Sequence, residues 1–372
     1  MSEKVSPLVS NLLDDPNRAK VIQAAHQFYV SGMESLDQIV HGEQDAKMML
    51  LTEALMGARE NVAVLYGPPG SGKSDLMNYF TMILPLEEDE IARISSRQDL
   101  SEAQVLGKTT KLIKSTQGED GAIVTETLQT EVAKADINER TRALIMDEVN
   151  RANPVILNAL LKILQDGRLI VYDGERAIQI EPLELVIFGM NNFGVRFTHD
   201  LDPAVISRLA LGSMMGLHPP HQLSEASEAI IEEKVSGKNI RDVDSLRSII
   251  SKKNLHYLRA NIDNQPFIES PGSGVKLLKQ GIVLVGDVLL GHGLRIADPR
   301  TTIQLIRTSR AISMLTNNAY VTEEAIRTAI KFNLVAKLGA LAVRDVMVGS
   351  NDERQDGQAQ RLDEINQLIA SL

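Results

Sequence analysis

The sequence has no cysteine and no tryptophan, and aromatic residues make up only 3% of its 372 residues. Without cysteine, disulfide bonds, thiolate catalysis and cysteine-ligated metal sites are excluded. Because single strands of nucleic acid are usually held on aromatic side chains, a base-stacking module is disfavoured. A formal net charge of −10 also works against binding of a phosphate backbone. Nucleic acid is therefore an unfavoured partner.

Long uncharged apolar runs are also missing, and residues 1–7 have no apolar signal core. A membrane-spanning helix needs about 20 consecutive apolar residues, and a secretory signal needs its own apolar segment. We therefore expect no membrane insertion and a soluble, cytoplasmic protein. A length of 372 residues favours two domains, or one large domain with an appendage.

Hydrophobic patterning divides the chain into four stretches. Residues 1–38 form an N-terminal extension with helical periodicity, and residues 39–217 alternate short apolar runs with amphipathic segments. Residues 218–348 are almost wholly helical in pattern, and residues 349–372 combine a polar linker with a short amphipathic helix. Three apolar runs of the second stretch are predicted buried strands: 61–66, 143–146 and 185–188. Such alternation indicates an α/β fold with a parallel sheet covered by helices on both faces.

Helical periodicity is clearest in the third stretch. Three helices are predicted there, at 224–234, 301–315 and 323–338. The last two are separated by a turn at Asn317 and Asn318. The sequence therefore predicts a helical domain after the α/β domain.

A glycine-rich loop follows the first predicted strand, with the sequence Gly-Pro-Pro-Gly-Ser-Gly-Lys-Ser at 67–74. It fits the pattern Gly-x4-Gly-Lys-[Ser/Thr] at every fixed position, and a helical pattern follows it. Backbone N–H groups and a positive helix end would therefore surround the β-phosphate of a nucleotide. Lys73 can reach the β- and γ-phosphates, and the Ser74 hydroxyl can ligate Mg²⁺. We predict ATP and Mg²⁺ as cofactors, and the loop residues that would hold them are Gly67, Pro68, Pro69, Gly70, Ser71, Gly72, Lys73 and Ser74.

Two carboxylates end the second predicted strand, at Asp147 and Glu148. Ligands of open parallel sheets bind at the carboxyl ends of the strands, so the pair has the right placement. Asp147 would hold Mg²⁺ directly or through water, and Glu148 would orient and deprotonate the attacking water. An acidic strand end beside a loop is common, so the pair alone would not indicate a function. The phosphate loop earlier in the chain favours a role for the pair in nucleotide chemistry. The two motifs together predict an ATP hydrolase.

The residues that follow this pair, 147–167, resemble the segment after the Walker B strand in the MoxR family of AAA+ ATPases. Residues 36–43 resemble the family's segment beside the adenine, and residues 93–107 resemble the stretch that leads into its helix-2 insert. Residues 169–180 resemble the hairpin before sensor 1, with its turn at Asp173 and Gly174. The resemblance is close over residues 36–217 and thins beyond them.

The resemblance implies an AAA+ αβα nucleotide-binding domain at 39–217, followed by an α-helical lid domain at 218–348. Residues 108–142 are longer and more polar than the family pattern, with a loop tip at 118–121. Residues 260–275 form an irregular insertion in the lid. These two departures are where we expect partner specificity.

The resemblance also gives roles to individual residues. Val40 and His41 would lie beside the adenine. Asn191 falls at the sensor-1 position, where an amide would position the lytic water, and Asn192 is the alternative. Both asparagines directly follow the third predicted strand.

Three arginines complete this set of expectations. Arg208 falls at the arginine-finger position, and would reach the nucleotide of a neighbouring subunit. Arg300, which follows Ala297-Asp-Pro, falls at the sensor-2 position and would contact the γ-phosphate from the lid. For Arg151 the sequence favours neither of two interpretations, an ordinary surface ion pair and a catalytic role.

A finger that acts on a neighbour requires head-to-tail contacts, which close into rings. The resemblance implies a hexameric ring of identical subunits, a partner protein with a von Willebrand factor A domain, and a protein client that the ring remodels or assembles. A DNA-associated motor and a nucleotide-dependent assembly scaffold are the alternatives. The hairpin at 168–176 has acidic residues at its tip, which disfavours DNA, and Glu148 disfavours a scaffold without turnover.

Overall fold

The structure, a computed structural model, describes residues 16–58, 61–96, 100, 105, 108–117, 123–133, 136–152, 154–166, 170–173, 176–179, 183–191, 201–216, 248–265, 273–291, 299–345, 364 and 367. The predicted helix at 224–234 and Asn192 lie outside these residues.

A parallel sheet of five strands forms the centre of the described structure. The described strands are β1 Val62–Gly67, β2 Ile91–Ser95, β3 Lys108–Gln117, β4 Ile123–Ala133, β5 Ala143–Asp147, β6 Ile170–Asp173, β7 Arg176–Gln179, β8 Leu185–Asn191 and β9 Leu209–Met214. The sheet has the order β2-β5-β8-β1-β9, and all of its pairings are parallel. Every residue of β1 and β8 is buried, as continuous apolar runs in a doubly covered parallel sheet require.

Helices surround this sheet and continue beyond it. They are α1 Pro16–Asp37, α2 Gln44–Met56, α3 Lys73–Met82, α4 Pro154–Asp166, α5 Pro203–Arg208, α6 Lys252–Asn261, α7 Ser273–Gly291, α8 Pro299–Leu315 and α9 Glu323–Asp345. The prediction of a parallel αβα domain followed by helices is confirmed. No helix that the structure describes has both the length and the apolar character to cross a bilayer.

Two antiparallel hairpins stand apart from the parallel sheet. β6 pairs with β7 in the predicted hairpin, but Asp173 lies opposite Arg176, so it belongs to the strand pair rather than to the turn predicted at Asp173 and Gly174. β3 pairs with β4 over its full length, from Lys108 opposite Ala133 to Gln117 opposite Ile123. The second hairpin occupies the polar insert, for which no secondary structure was predicted.

The last long helix, α9, packs directly on the edge strand β9 and also contacts β1. Gly212 on β9 makes this possible, because a Cβ atom there would overlap the backbone of Ala336. The Tyr66 hydroxyl of β1 donates a hydrogen bond of 2.6 Å to the Ala336 carbonyl. α8 in turn packs against α9 and against α1 and α2. The C-terminal helices therefore share one core with the sheet.

Candidate functional site

The carboxyl ends of the parallel strands bring the phosphate loop, the acidic pair and Asn191 to one edge of the sheet. Gly67 at the end of β1 lies opposite Asn191 at the end of β8. Asp147 at the end of β5 lies opposite Ser95 at the end of β2. Because β5 also pairs with β8, the acidic pair lies next to Asn191 in the sheet. The predicted phosphate loop, acidic pair and sensor-1 residue therefore meet at this edge.

The loop itself has the backbone that its glycines allow. Gly70 and Gly72 both have a φ of 83°, in the left-handed region that favours glycine. α3 begins directly after Gly72, so the free N–H groups of its first turn lie at the loop. A helix N-terminus in this position is suited to a phosphate group.

Lys73 is the first residue of α3 and is 4% exposed. Its ammonium group donates hydrogen bonds to the Gly67 carbonyl at 2.8 Å and to the Pro68 carbonyl at 2.9 Å. A third contact, of 3.3 Å, joins it to the Ser71 hydroxyl. Burial lowers the pKa of Lys73, and nearby Asp147 and Glu148 oppose this shift. The loop therefore holds the ammonium where a phosphate group could take over these contacts.

Ser74 and Asp147 are in direct contact, because the Ser74 hydroxyl donates a hydrogen bond to the carboxylate of Asp147. The Asp147 carboxylate also accepts a hydrogen bond of 2.9 Å from the backbone N–H of Glu148. These oxygen donors suit Mg²⁺, which is usually bound by one or two protein groups together with water and phosphate. The two predicted metal ligands are thus adjacent, with the chemistry that the ion requires.

Glu148 has a φ of 53°, which is uncommon for a residue other than glycine and is found at functional sites. One of its carboxylate oxygens accepts a hydrogen bond from the amide of Asn191. The other accepts a hydrogen bond of 2.6 Å from Arg151. The strained backbone thus presents the carboxylate to the residue at the sensor-1 position and gives Arg151 a partner inside the site.

The segment predicted to lie beside the adenine ends near the phosphate loop. Val40 is half-buried against the core, and its N–H donates to the Leu36 carbonyl at 2.9 Å. Glu43 accepts a hydrogen bond of 2.8 Å from the N–H of Gly216, a residue that packs against Pro68 and Ser71. His41, between Val40 and Glu43, is also half-buried. The adenine role of Val40 and His41 remains a prediction.

Arg208 lies at the opposite end of the sheet from the phosphate loop. It directly precedes Leu209, which pairs with Val62 at the beginning of β1. Gly67 is five residue steps along the strand from Val62, so the two residues are roughly 16 Å apart. Arg208 is 6% exposed, and its guanidinium donates a hydrogen bond of 2.6 Å to the Ala204 carbonyl. The structure therefore does not bring Arg208 to the phosphate loop of its own chain.

Arg300 lies beside Arg208 rather than beside the phosphate loop. Its guanidinium is 3.4 Å from the hydroxyl of Ser207, the residue before Arg208. It also lines a cavity together with Asn61, which precedes β1. The two arginines assigned from the resemblance thus share one end of the sheet, and the acidic pair occupies the other.

Two comparisons identify this architecture. Residues 63–209 match the family model of the AAA domain, dynein-related subfamily. A solved structure from Cytophaga hutchinsonii, described as a candidate ATPase, has a TM-score of 0.62 with this chain at 19% sequence identity. It covers 94% of this chain, which in turn covers 96% of it. The fold is that of an AAA+ ATPase.

Curated relatives of this chain include chaperones. Chaperone protein ClpB of Bacillus cereus is 24% identical over 260 residues, which are 65% of this chain and 28% of ClpB. Chaperone protein ClpB 2 of a Nostoc species is 25% identical over 241 residues, which are 60% of this chain and 25% of that protein. The chain therefore spans about a quarter of the length of the curated relatives that it matches.

Two residues at this edge of the sheet, Gly189 and Glu43, were not predicted from the sequence. Gly189 on β8 lies so close to the acidic pair that a Cβ atom there would be 2.5 Å from the carboxylate of Asp147. A glycine inside an apolar strand is a signal of such a close approach. Glu43, with a φ of 56°, ties the segment after Val40 to Gly216. No pattern in the sequence marked Glu43.

Proposed function

We propose that this chain hydrolyses ATP in a ring of identical subunits, and uses that energy to remodel or assemble other proteins. The observation that carries the proposal is the carboxylate of Glu148, held by the amide of Asn191 next to the phosphate loop. A nucleotide-dependent scaffold needs the loop, but it does not need a carboxylate positioned in this way. Hydrolysis does need it, because the attacking water has to be oriented and deprotonated.

The chain's own groups divide the work at this edge of the sheet. The N–H groups at the start of α3 and the ammonium of Lys73 bind the phosphates. Asn191 orients Glu148 and the attacking water, and Glu148 accepts a proton of that water as it attacks the γ-phosphorus. The bond from this phosphorus to the β–γ bridging oxygen breaks, so that ADP leaves and phosphate forms. Arg151 fixes the other oxygen of the Glu148 carboxylate through a hydrogen bond of 2.6 Å.

Ser74 and Asp147 would hold Mg²⁺, which neutralises phosphate charge during phosphoryl transfer. Asp147 would act from a carboxylate already fixed by the N–H of Glu148. Fixed oxygen donors need little reorganisation, which is the general advantage of such a site.

The other half of the site would come from a neighbouring chain. Arg208 and Arg300 lie at the end of the sheet opposite the phosphate loop, so head-to-tail packing would bring them to the neighbour's nucleotide. The Arg208 guanidinium must leave the Ala204 carbonyl to get there. We infer that assembly, rather than ATP binding alone, moves this side chain into place.

The finer assignment follows the MoxR resemblance. We propose a hexamer, a partner with a von Willebrand factor A domain, and a protein client. The match to ClpB, whose name describes a chaperone, supports action on proteins. We also propose that the lid begins near residue 218 and that the N-terminal extension ends near residue 38.

The proposal is tested by the ATP turnover per chain, measured as the protein concentration rises. A site shared between chains gives a specific activity that rises with assembly and then levels off. We expect the Arg208→Ala variant to lose this rise while each chain still binds ATP. A specific activity independent of concentration, measured below and above the concentration at which rings form, would contradict the shared site. Salt-sensitive stimulation by DNA would support the DNA motor instead.

Gly189 provides a prediction about the acidic pair. The added methyl group of Gly189→Ala would overlap the carboxylate of Asp147 and lie 2.8 Å from Met77. Asp147 must therefore shift away from Ser74. We expect ATP turnover to fall about 10- to 100-fold, as misplaced catalytic groups typically cause. Steady-state ATP hydrolysis measures the change, and circular dichroism verifies the fold.

Gly286→Ala is the matched control for this substitution. Gly286 lies in α7, and a Cβ atom there would meet nothing within 4 Å. We expect this variant to keep its full activity. If Gly189→Ala is folded and equally active, the contact between β8 and Asp147 has no part in catalysis.

A further inference from the structure

A buried polar cluster joins α8 and α9 to the segment that carries Arg208. The α8–α9 cluster consists of Gln304, Asn333 and Lys337. Lys337 is fully buried. Its ammonium lies 3.0 Å from the Leu209 carbonyl, 3.4 Å from the Ser207 carbonyl and 3.3 Å from the side-chain oxygen of Gln304. The Lys337 ammonium of α9 therefore contacts the backbone carbonyls of the residues on both sides of Arg208.

The other two members of the cluster bind the same backbone. The Gln304 amide donates to the carbonyls of Ser207 and Arg208, both at 3.5 Å. The Asn333 amide donates to the Ala210 carbonyl at 3.1 Å. The carbonyls of residues 207 to 210 thus all accept hydrogen bonds from the cluster.

This backbone segment includes an irregularity of the sheet. Val62 pairs with Leu209 and Ala63 pairs with Leu211, so Ala210 is an extra residue on β9. A bulge of this kind redirects the chain and its side chains. Because Asn333 binds the carbonyl of Ala210, the cluster fixes the bulge directly after Arg208.

Burying a lysine ammonium costs free energy that an apolar side chain of similar size avoids. If the cluster served only to attach α9 to the sheet, apolar residues would do so without this free-energy cost. A buried ammonium and two amides that together bind four consecutive carbonyls instead fix the position of one backbone segment. That segment carries the proposed arginine finger.

α9 also contacts the strand that leads into the phosphate loop. The Tyr66 hydroxyl bonds to the Ala336 carbonyl, next to Lys337 in sequence. Gly339, one turn away from Ala336, lies against the ring of Tyr66. Tyr66 directly precedes Gly67 of the phosphate loop. α9 therefore contacts both β1, which leads into the phosphate loop, and the backbone segment that carries Arg208.

We propose that Lys337, together with Gln304 and Asn333, is a positioning group. It holds the backbone at Arg208 so that the Arg208 guanidinium can contact the nucleotide of the neighbouring chain. This inference rests on the proposed function, in which Arg208 acts on a neighbour. Lys337 touches neither ATP nor the reacting atoms. It acts through the backbone of Ser207 and Leu209, which direct the Arg208 side chain toward the neighbour.

The first test replaces the buried ammonium by an apolar group of similar length, in Lys337→Met. We expect ATP turnover to fall about tenfold or more, a part of the 10³–10⁵ that an arginine finger contributes. ATP retention by the chain stays within about twofold of the native value, because the phosphate loop is unchanged. The matched control is Lys331→Met, on the same helix, where the lysine pairs with Asp45 at the surface. We expect the control to keep its full turnover.

The deciding readout is complementation in mixed assemblies. Lys337→Met chains keep Glu148, and Glu148→Gln chains keep Lys337 and Arg208. At a 1:1 ratio roughly a quarter of the interfaces combine both intact halves, so we expect roughly a quarter of the native rate. A variant that had merely damaged its own catalytic edge would show no such recovery.

Mixtures of Arg208→Ala with Glu148→Gln separate this inference from the proposed function. If these recover and the Lys337→Met mixtures do not, Lys337 does not act through the finger and the inference fails alone. If neither mixture recovers, the proposed function of Arg208 fails, and the inference fails with it. Should Lys337→Met not fold, Gln304→Met removes the bonds to Ser207 and Arg208 and is judged by the same readouts. Native turnover in a folded variant would overturn the proposal.

Discussion

Lys73→Ala abolishes ATP turnover and lowers nucleotide retention by at least about 100-fold. The ammonium of Lys73 is held by two carbonyls and a hydroxyl of the phosphate loop, so its position is fixed before any phosphate arrives. Removing it deletes the only positive side chain of the loop, in the place where the phosphate charge is greatest. Nucleotide retention after gel filtration and steady-state ATP hydrolysis both measure the loss.

The matched control is Lys252→Ala, which removes a half-exposed lysine that pairs with Glu90. Exposed pairs contribute little to stability, so this variant is expected to keep its binding and turnover. If Lys73→Ala retained ATP as well as Lys252→Ala does, the loop at 67–74 would not be the nucleotide site. That result would remove the basis of the whole account.

Glu148→Gln separates binding from chemistry. The substitution keeps the shape of the side chain and an oxygen that can accept from Asn191, but it removes the negative charge and the base. We expect ATP binding to remain and turnover to fall about 10²- to 10⁴-fold, the usual contribution of a general base. Single-turnover hydrolysis and ATP retention, measured on the same sample, give the two quantities.

Glu139→Gln serves as the control for this change, because Glu139 is exposed and precedes the amino end of β5, whereas Glu148 follows its carboxyl end. Its turnover should equal that of the native chain. Native turnover in Glu148→Gln would show that another group activates the water. In that case the bond between Asn191 and Glu148 would be structural.

Local patterns were sufficient to place the phosphate loop and the acidic pair at one edge of the sheet. The runs at 61–66, 143–146 and 185–188 became β1, β5 and β8, because uninterrupted apolar runs suit strands buried on both faces. Once the strands are parallel, their carboxyl ends meet. The contacts of Ser74 with Asp147 and of Asn191 with Glu148 then follow from topology.

The long hairpin of β3 and β4 was not predicted, although its signals are present. Residues 108–133 are rich in threonine, valine and isoleucine, and two glycines flank the turn region at 118–121. These are strand and turn signals. Its polar composition indicates only an insert relative to the family pattern, since a two-stranded ribbon buries no continuous apolar run that would reveal it.

The packing of α9 on β9 could not be predicted, because it depends on contacts between distant parts of the chain. Lys337 and Ser207 are 130 residues apart in the sequence, and nothing local to either one indicates the other. A lysine within a helical pattern is normally interpreted as solvent-exposed. The burial of Arg208 is likewise a tertiary property, although its bond to the Ala204 carbonyl lies within one helix, whereas its likeness to an arginine finger is a sequence property. The MoxR assignment and the ring remain predictions.

The most direct test of the shared site is ATP turnover by a 1:1 mixture of Arg208→Ala and Glu148→Gln chains, under conditions where size-exclusion chromatography shows that they assemble together. Each variant alone should be nearly inactive. The account predicts that the mixture recovers roughly a quarter of the native rate, because that share of interfaces joins an intact Glu148 to an intact Arg208 on the next chain. A co-assembled mixture no faster than the average of the two variants alone would contradict it.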